Sequence, residues 1–285
     1  MTLPAAVAAW CLDQGHGAVT GQIPVGGGCI SQGTQLKTET GATFFLKQNS
    51  SAPADMFACE AVGLAALAAG AGPRVPEPLL VGEHFLLLED LRPAPRRADY
   101  WIELGRRLAQ LHDRIGDAFG FKQDNYLGST PQPNPSTDDG HAFFADHRLR
   151  FQGDLAAANG RLEADWLRRL DRIASRLTAM VPAQPPSLLH GDLWSGNAIS
   201  GPAGEPAVID PAAHYGWAEA DLAMTSLFGG FPEAFYQAYT DARPLEPGWR
   251  QRFPIYNLYH LLNHLNLFGD TYLAQVQSVL SRFSN

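Results

Sequence analysis

The feature that most constrains this chain is a set of polar residues in fixed order, each at the end or edge of an apolar run. Lys47 closes the run ATFFLK, and Glu60 follows it inside the Ala- and Leu-rich stretch SAPADMFACEAVGLAALAAG. Much later, LLHGDLWSGNAIS carries Asp192 and Asn197 in the spacing D-x-x-x-x-N, and AVIDP then brings Asp210. The first run has the compact β-type character of a strand and the second the periodicity of a helix. A lone strand lysine is usually a solvated edge charge, and a lone helix glutamate usually faces water. Their joint placement ahead of D-x-x-x-x-N and a further Asp is far more specific than any one of them.

Those residue types in that order meet the needs of phosphoryl transfer. A lysine neutralises nucleotide phosphates, a carboxylate and a second oxygen ligand hold Mg²⁺, and another carboxylate accepts the acceptor's proton. The protein-kinase pattern has these parts as a strand Lys, a helix Glu, a D-x-x-x-x-N loop and a following Asp. The glycine loop departs from that pattern: Gly26, Gly27 and Gly28 run together, then Cys29-Ile30-Ser31-Gln32, then Gly33. Gly28 to Gly33 fits G-x-x-x-x-G, but Thr34 and Gln35 stand where a P-loop requires Lys and Ser/Thr, which disfavours a P-loop NTPase. Such a loop can still fold over phosphates through backbone N–H groups and the Ser31 hydroxyl. Cys29 reads either as an exposed, oxidisable thiol with a pKa lowered by a phosphate-binding environment, or as a small residue in a turn.

The chain has 285 residues, enough for two moderate domains or one large one, and it is 45% hydrophobic and 18% charged, a globular balance. A net charge of −8 argues against nucleic acid or an anionic membrane as the main partner. Three cysteines, Cys11, Cys29 and Cys59, form neither a disulfide framework nor a zinc pattern, so a reducing, cytoplasmic setting is expected. MTLPAAVAAWCLDQG reads as a helix starting after Pro4 rather than a signal peptide, and no apolar stretch approaches the ~18 residues of a membrane span.

Residues 1–91 read as an α/β unit: two strands around the glycine loop, the ATFFLK strand, a helix with Asp55 near its start, a Pro-rich connector and a strand over Phe85 to Leu88. The Pro93 and Pro95 exit marks the domain boundary, and residues 92–285 are largely helical, as in DYWIELGRRLAQLHDRIG and FPIYNLYHLLNHLNLFG. NYLGSTPQPNPSTDDG reads as a long polar loop, and LLHGDLWSGNAIS…AVIDP as a β-rich insertion among the helices. His260 and His264 are four apart on one helix face, yet Leu261 stands where H-E-x-x-H has its Glu, so a metalloprotease is disfavoured. Asp221 is expected to cap its helix or brace the D-x-x-x-x-N loop. Trp194 is either a surface for a sugar ring or a prop for the loop. Cys59 is expected to be buried and inert.

GGGCISQG, FFLK, FACE, LLHGDLWSGN, VIDPAAHYGWAEADLAM, LFGGFP and LNHLNLFG together resemble the fructosamine kinase (ketosamine-3-kinase) family, from about Gly26 to about Gly269. The resemblance implies an α+β, protein-kinase-like, two-lobed fold, with a β-rich N-lobe, a mainly helical C-lobe and the active site in the cleft. It also implies ATP and Mg²⁺ as cofactors, and ketosamines or glycated proteins as substrates. Carried across, Asp192 would be the catalytic base, Asn197 and Asp210 would bind Mg²⁺, and Lys47 would pair with phosphates and with Glu60. Gly28 and Ser31 would lie over the phosphates, and backbone groups of Glu89 to Leu91 would meet the adenine edge. His190 would support the catalytic loop, and Trp194 and His264 would line the substrate pocket. The ketosamine-3-phosphate formed in this family is unstable and releases the amine, a deglycation repair. Two alternatives stay open: a kinase of the same fold acting on an aminoglycoside, choline or a sugar, and an inactive kinase-like binding protein. The second predicts loss of Lys47, Asp192, Asn197 or Asp210, and all four are present. Whether the protein is a monomer or a homodimer, linked or not through Cys29, is open at this point.

Overall fold

The computed structural model describes residues 2–26 and 30–284; Gly28 and Cys29 lie outside the described residues. Helix α1 (Ala5–Asp13) begins directly after Pro4, as expected, and packs Val7 and Cys11 onto the sheet that follows. That sheet holds β1 (Val19–Val25), β2 (Gln32–Thr38), β3 (Thr43–Gln48), β4 (Pro78–Gly82) and β5 (Phe85–Glu89), all antiparallel, in the order β1-β2-β3-β5-β4. Alternation decides its faces. Phe44 and Leu46 of β3 and Leu36 of β2 join the small core under α1, while Phe45 turns to the main core. Gly33 opposes Lys47 across β2 and β3, and any side chain there would meet the Phe45 ring at 2.7 Å. This glycine is therefore required by packing. The Pro-rich connector contains an unexpected strand, β4, which sits at the sheet edge, where a Pro that cannot donate to the ladder is tolerated.

Helix α2 (Met56–Ala68) crosses from β3 toward the helical part, burying Phe57, Leu64 and Leu67. Asp55 at its start does not cap it; its carboxylate accepts from the Tyr126 hydroxyl at 2.7 Å. Helix α3 (Tyr100–His112) follows, then a hairpin of β6 (Asn125–Leu127) and β7 (Thr130–Gln132). Next come α4 (Gly140–Phe144), a π-helical turn over Ala145–Arg150, α5 (Phe151–Ala158), α6 (Ala164–Ser175) and α7 (Leu177–Met180). The strands β8 (Ser187–Leu189), β9 (Ala198–Ser200), β10 (Pro206–Val208) and β11 (His214–Gly216) pair as β8 with β11 and β9 with β10. Helices α8 (Ala218–Met224), α9 (Glu233–Ala242), α10 (Trp249–Phe268) and α11 (Leu273–Phe283) complete the order.

The helical core is centred on α10, whose buried residues run from Arg252 to Leu265. A bidentate pair from Arg252 to Glu219 (2.7 and 2.5 Å), joined by the Tyr256 hydroxyl at 2.9 Å, ties α10 to the start of α8. The stretch read as a long polar loop is instead a buried polar scaffold. Asn125 donates to Ala213 O, Gln132 and Asn134 both donate to Asn125 Oδ1, and Arg148 donates to Asn134 Oδ1. Its polar composition reflects internal hydrogen bonding, which sequence polarity alone does not separate from exposure. Gly105 on α3 lies so close to α9 that an added methyl would stand 2.4 Å from the carbonyl oxygen of Phe235.

Two stability predictions follow from this packing. Alanine is the better helix former by about 1 kcal/mol. Gly105→Ala is nevertheless expected to lower stability by about 1–3 kcal/mol through overpacking, read as a lower urea midpoint. The second prediction concerns acid. His214 and His260 are buried, and burial pushes both down to about 3. Below an unfolded value of about 6.5 the unfolded chain binds protons that these folded imidazoles do not. Each therefore removes stability at about 1.4 kcal/mol per pH unit as pH falls from about 6.5 toward 3. His214→Asn, which keeps a donor for Ala212 O, should make the fall of unfolding free energy between pH 6 and pH 4 shallower by about that slope.

Candidate active site

The loops after β8 and β10 face each other and are laced together by the backbone. Ala212 N donates to His190 O at 2.9 Å, and Ile209 N donates to Asn197 O at 3.0 Å. This lacing brings Asp192, Asn197 and Asp210 into one place. Gly191 takes a positive φ of 83°, and a side chain there would strike Ala212 O at 2.2 Å, so the loop passes only with glycine. Asp210 also takes a left-handed conformation (φ 57°), which Asp tolerates better than most residues. Gly196 has no such φ; a side chain there would meet the Trp194 ring at 2.3 Å, so its role is to leave room for the indole.

Lys47 reaches across from β3. Its Nζ lies 2.6 and 2.8 Å from the two oxygens of Glu60 and 3.0 Å from Oδ1 of Asp210. Burial alone lowers the pKa of this ammonium, but the charges of Asp210 and Glu60 outweigh it and hold the value above the ordinary one. Burial, with the Asp210 charge, raises Glu60 above the ordinary carboxylate value, and the charge and hydrogen bond of Lys47 oppose that rise. The Asn197 amide nitrogen donates to Asp192 O (2.8 Å) and Oδ2 (3.1 Å), turning its carbonyl oxygen elsewhere. Burial, reinforced by Asp210, raises Asp192 to about 7, against the opposing bond from Asn197. The other oxygen of Asp192 stands 4.0 Å from Nδ1 of His260.

The loop is held from beneath by Asp221. Its carboxylate accepts from the backbone N–H groups of His190 (2.6 Å) and Gly191 (2.8 Å), and from Nε2 of His112 at 3.2 Å. His112 Nδ1 meets the Tyr239 hydroxyl at 2.7 Å; burial lowers the pKa of the ring, and in its neutral form the bond to Asp221 places the proton on Nε2. Burial works to raise Asp221, yet His112 and the Gly191 N–H hold it below its ordinary value. Of the two expectations for Asp221, the structure shows the brace. His190 is likewise fixed in one tautomer: Nε2–H donates to Ile209 O (2.9 Å) and Nδ1 accepts from Asp192 N (3.2 Å).

The remaining predicted positions divide. Ser31 Oγ is buried with no hydrogen-bond partner among the described residues, beside a loop end that Asn49 pins through Ile30 O. Glu89 is engaged: its N–H donates to Glu77 O, and its side chain pairs with Arg74, which also holds Glu205 of the β9–β10 turn. The Glu89 N–H is therefore closed to a ligand, whereas Leu91 N–H has no partner among the described residues. Trp194 is half-buried and meets Phe228 edge-on at 5.9 Å; Phe228, Phe268 and Tyr272 surround His264. His264 is not drawn to Asp192; its Nδ1–H donates to His260 O at 2.8 Å. Cys59 is buried, as expected, and burial pushes its thiol up. Sequence reasoning gave no site role to His112, Tyr239 or His260. For His260 the signal was present, in the turn-spaced pair with His264 on one helix face.

Asp210 and Asn197 offer a carboxylate oxygen and an amide oxygen, hard donors suited to Mg²⁺, which keeps few protein ligands and completes its shell with phosphates and water. An exposed part of Asp210 (43% of its side chain) is consistent with that use. No group of three or more His, Cys, Asp or Glu residues forms a closed metal cage among the described residues.

A lysine between two carboxylates on a small antiparallel sheet, above a D-x-x-x-x-N loop in a helical body, defines a phosphotransferase of the kinase-like class. Solved aminoglycoside and macrolide phosphotransferases share this fold, with TM-scores of 0.61 at 15% and 14% identity over 96% and 100% of the chain and 98% and 99% of theirs. The fructosamine kinase family model matches residues 5–285, and the chain belongs to that family. It is 46% identical to the "Probable ketoamine kinase" of Synechocystis sp. over 90% of this chain and 88% of that one. It is 38% identical to the chloroplastic protein-ribulosamine 3-kinase of Arabidopsis thaliana, over 96% and 86%. A crystal structure assigned to fructosamine-3-kinase from Thermobifida fusca superposes with a TM-score of 0.89 at 30% identity, covering 99% of both chains. The protein is thus a kinase.

The brace predicts a specific cost. Asp221→Leu leaves the His190 and Gly191 N–H groups buried without an acceptor, at about 1–3 kcal/mol each. Its urea midpoint should fall accordingly, and further than for Tyr239→Phe, which removes only the outer link.

Proposed function

We propose that the protein transfers the γ-phosphoryl group of ATP, with Mg²⁺, to the 3-hydroxyl of ketosamines. The observation that carries this is the assembled set Lys47–Glu60–Asp210 facing Asp192 and Asn197, on a chain of the fructosamine kinase family. Names of relatives that specify ketoamines and ribulosamine support the acceptor class. Phosphorylated ketosamines break down to inorganic phosphate and free amine, so the physiological outcome would be deglycation of small amines or of glycated proteins. A reducing, cytoplasmic setting suits the free, buried Cys11 and Cys59.

In this mechanism Lys47, held charged by its two carboxylates, binds and orients the nucleotide phosphates. Ser31, with its unpaired Oγ, donates to a phosphate oxygen, and Leu91 N–H meets the adenine edge. Asn197 and Asp210 would hold the Mg²⁺, which would neutralise charge on the phosphates. Asp192 Oδ1, left free by Asn197, receives the acceptor hydroxyl's hydrogen bond and then its proton. Positioning supplies most of the rate, because the transition state is loose. Trp194, backed by Phe228, gives the acceptor an apolar face, and the rings around His264 extend it.

The test is incubation with ATP, Mg²⁺ and a panel of fructosyl-, ribulosyl- and erythrulosyl-lysine, glycated peptide, kanamycin and choline, read by phosphate gain in mass spectrometry. Transfer to a ketosamine is expected, with loss of turnover by about 10²–10⁴-fold in Asp192→Ala and full loss on chelation restored by Mg²⁺. Modification of kanamycin or choline alone would sink the ketosamine reading.

A further inference from the structure

His260 lies on α10 one turn before His264 and is 4% exposed. Its Nδ1 has no hydrogen-bond partner among the described residues, yet it stands 4.0 Å from Oδ1 of Asp192. That oxygen is also unpaired there, because Asn197 binds Oδ2. Leaving a buried polar atom unpaired costs about 1–3 kcal/mol, and folded proteins rarely do so without a reason. An ion pair does not explain the approach: burial keeps the imidazole neutral at physiological pH. A direct hydrogen bond does not either, since 4.0 Å is too long.

Two unpaired polar atoms at this separation are spaced as a pair bridged by one oxygen. An oxygen about 2.8 Å from each would see them at an angle of about 90°, workable for a hydroxyl that donates to one and accepts from the other. We infer that His260 is a second acceptor-binding residue, its Nδ1–H and the Asp192 Oδ1 bracketing the hydroxyl that is to be phosphorylated. The hydroxyl donates its hydrogen to Asp192 and accepts from His260 with one lone pair. Its other lone pair is then fixed in direction, toward the phosphorus. Such orientation is where intramolecular positioning gains most of its rate. The rigid α10 holds the imidazole in place, through the Asn257 bond to Ala223 O one turn before it and the His264 bond to its own carbonyl. The inference rests on the kinase reading above for the role of Asp192, and not on which hydroxyl compound is the acceptor.

The competing account is a water in the adjoining cavity of about 20 Å³, lined by Arg148, His214, Tyr259 and His260 but not by Asp192, which has room for one molecule. The two differ in what His260→Asn and His260→Phe do. Asn keeps a donor near the Nδ1 position; Phe keeps only the ring. With the acceptor found in the panel, His260→Phe should lower kcat/KM roughly 10- to 100-fold. His260→Asn should recover most of that, and the Kd of a non-hydrolysable ATP analogue with Mg²⁺ should be unchanged in both. Wild-type-like kcat/KM in His260→Phe, equal losses in both variants, or a parallel loss of nucleotide affinity would overturn the inference. So would a lower melting temperature with unmoved kinetics, the outcome expected if His260 only anchors a water. If the wild-type protein phosphorylates no ketosamine, the functional reading fails separately. His260 is then judged on whichever acceptor is used or, with none, on slow ATP hydrolysis, where water takes the hydroxyl's place. Hydrolysis slowed by Phe and restored by Asn supports the bracket, and unchanged hydrolysis overturns it.

Discussion

A single buried ammonium holds the two parts of this molecule in working relation. Lys47 leaves the sheet, meets Glu60 on α2 and Asp210 beyond β10, and so ties three elements at one point. A buried ion pair is weak evidence for stability, because desolvation offsets much of the attraction. Its value here is geometric and electrostatic. One cation stands between two carboxylates, and nearby Asp192 is raised to about 7 by burial first and by the Asp210 charge second. An array of that charge favours a bound divalent cation, and a cation in turn favours a polyphosphate. That imbalance supports the proposed binding of a metal–nucleotide complex.

Beneath the charged surface the support is almost entirely neutral. In the brace under the loop the charged member is Asp221, and its partners are backbone N–H groups and a histidine held neutral by burial. His190 binds both loops with one ring, donating to one and accepting from the other. Neutral, fully paired donors fix a loop without altering the field that its carboxylates must present. The same burial makes these imidazoles a source of acid sensitivity, so rigidity at neutral pH and fragility at low pH share one cause.

What was legible in sequence follows the range of the signal. Lys47, Glu60, Asp192, Asn197 and Asp210 follow the order and spacing of the kinase pattern, so their grouping was readable from that pattern and the family resemblance, while periodicity placed only the strand and helix that carry the first two. Asp221 was readable as a brace, but not its partners: His112 and Tyr239 come from α3 and α9, and nothing local marks either. The Asn125–Gln132–Asn134–Arg148 network read as a loop because polarity usually means solvent, and here it means internal bonding. β4 was hidden by Pro78 and the prolines just before it, and an edge strand tolerates such a proline. Gly33 read as the end of the glycine loop, whereas it and Gly196 each make room for an aromatic ring. Such close approaches belong to tertiary packing and leave no periodic trace.

The proposed roles divide into two kinds of specificity. Charged groups on the nucleotide side demand a fixed chemistry, which is why their spacing survives as a recognisable pattern. On the proposed acceptor side, Trp194 meets Phe228 edge-on, and Phe228, Phe268 and Tyr272 surround His264. Rings accept many amphipathic partners and discriminate weakly by themselves. A buried polar group left unpaired by a wrong acceptor discriminates strongly, because its loss is the full desolvation penalty. His260 and the free oxygen of Asp192 are such a pair. Placing them at the phosphoryl-receiving point, inside a tolerant aromatic pocket, lets one fold change acceptors through the rings while the geometry of attack stays the same.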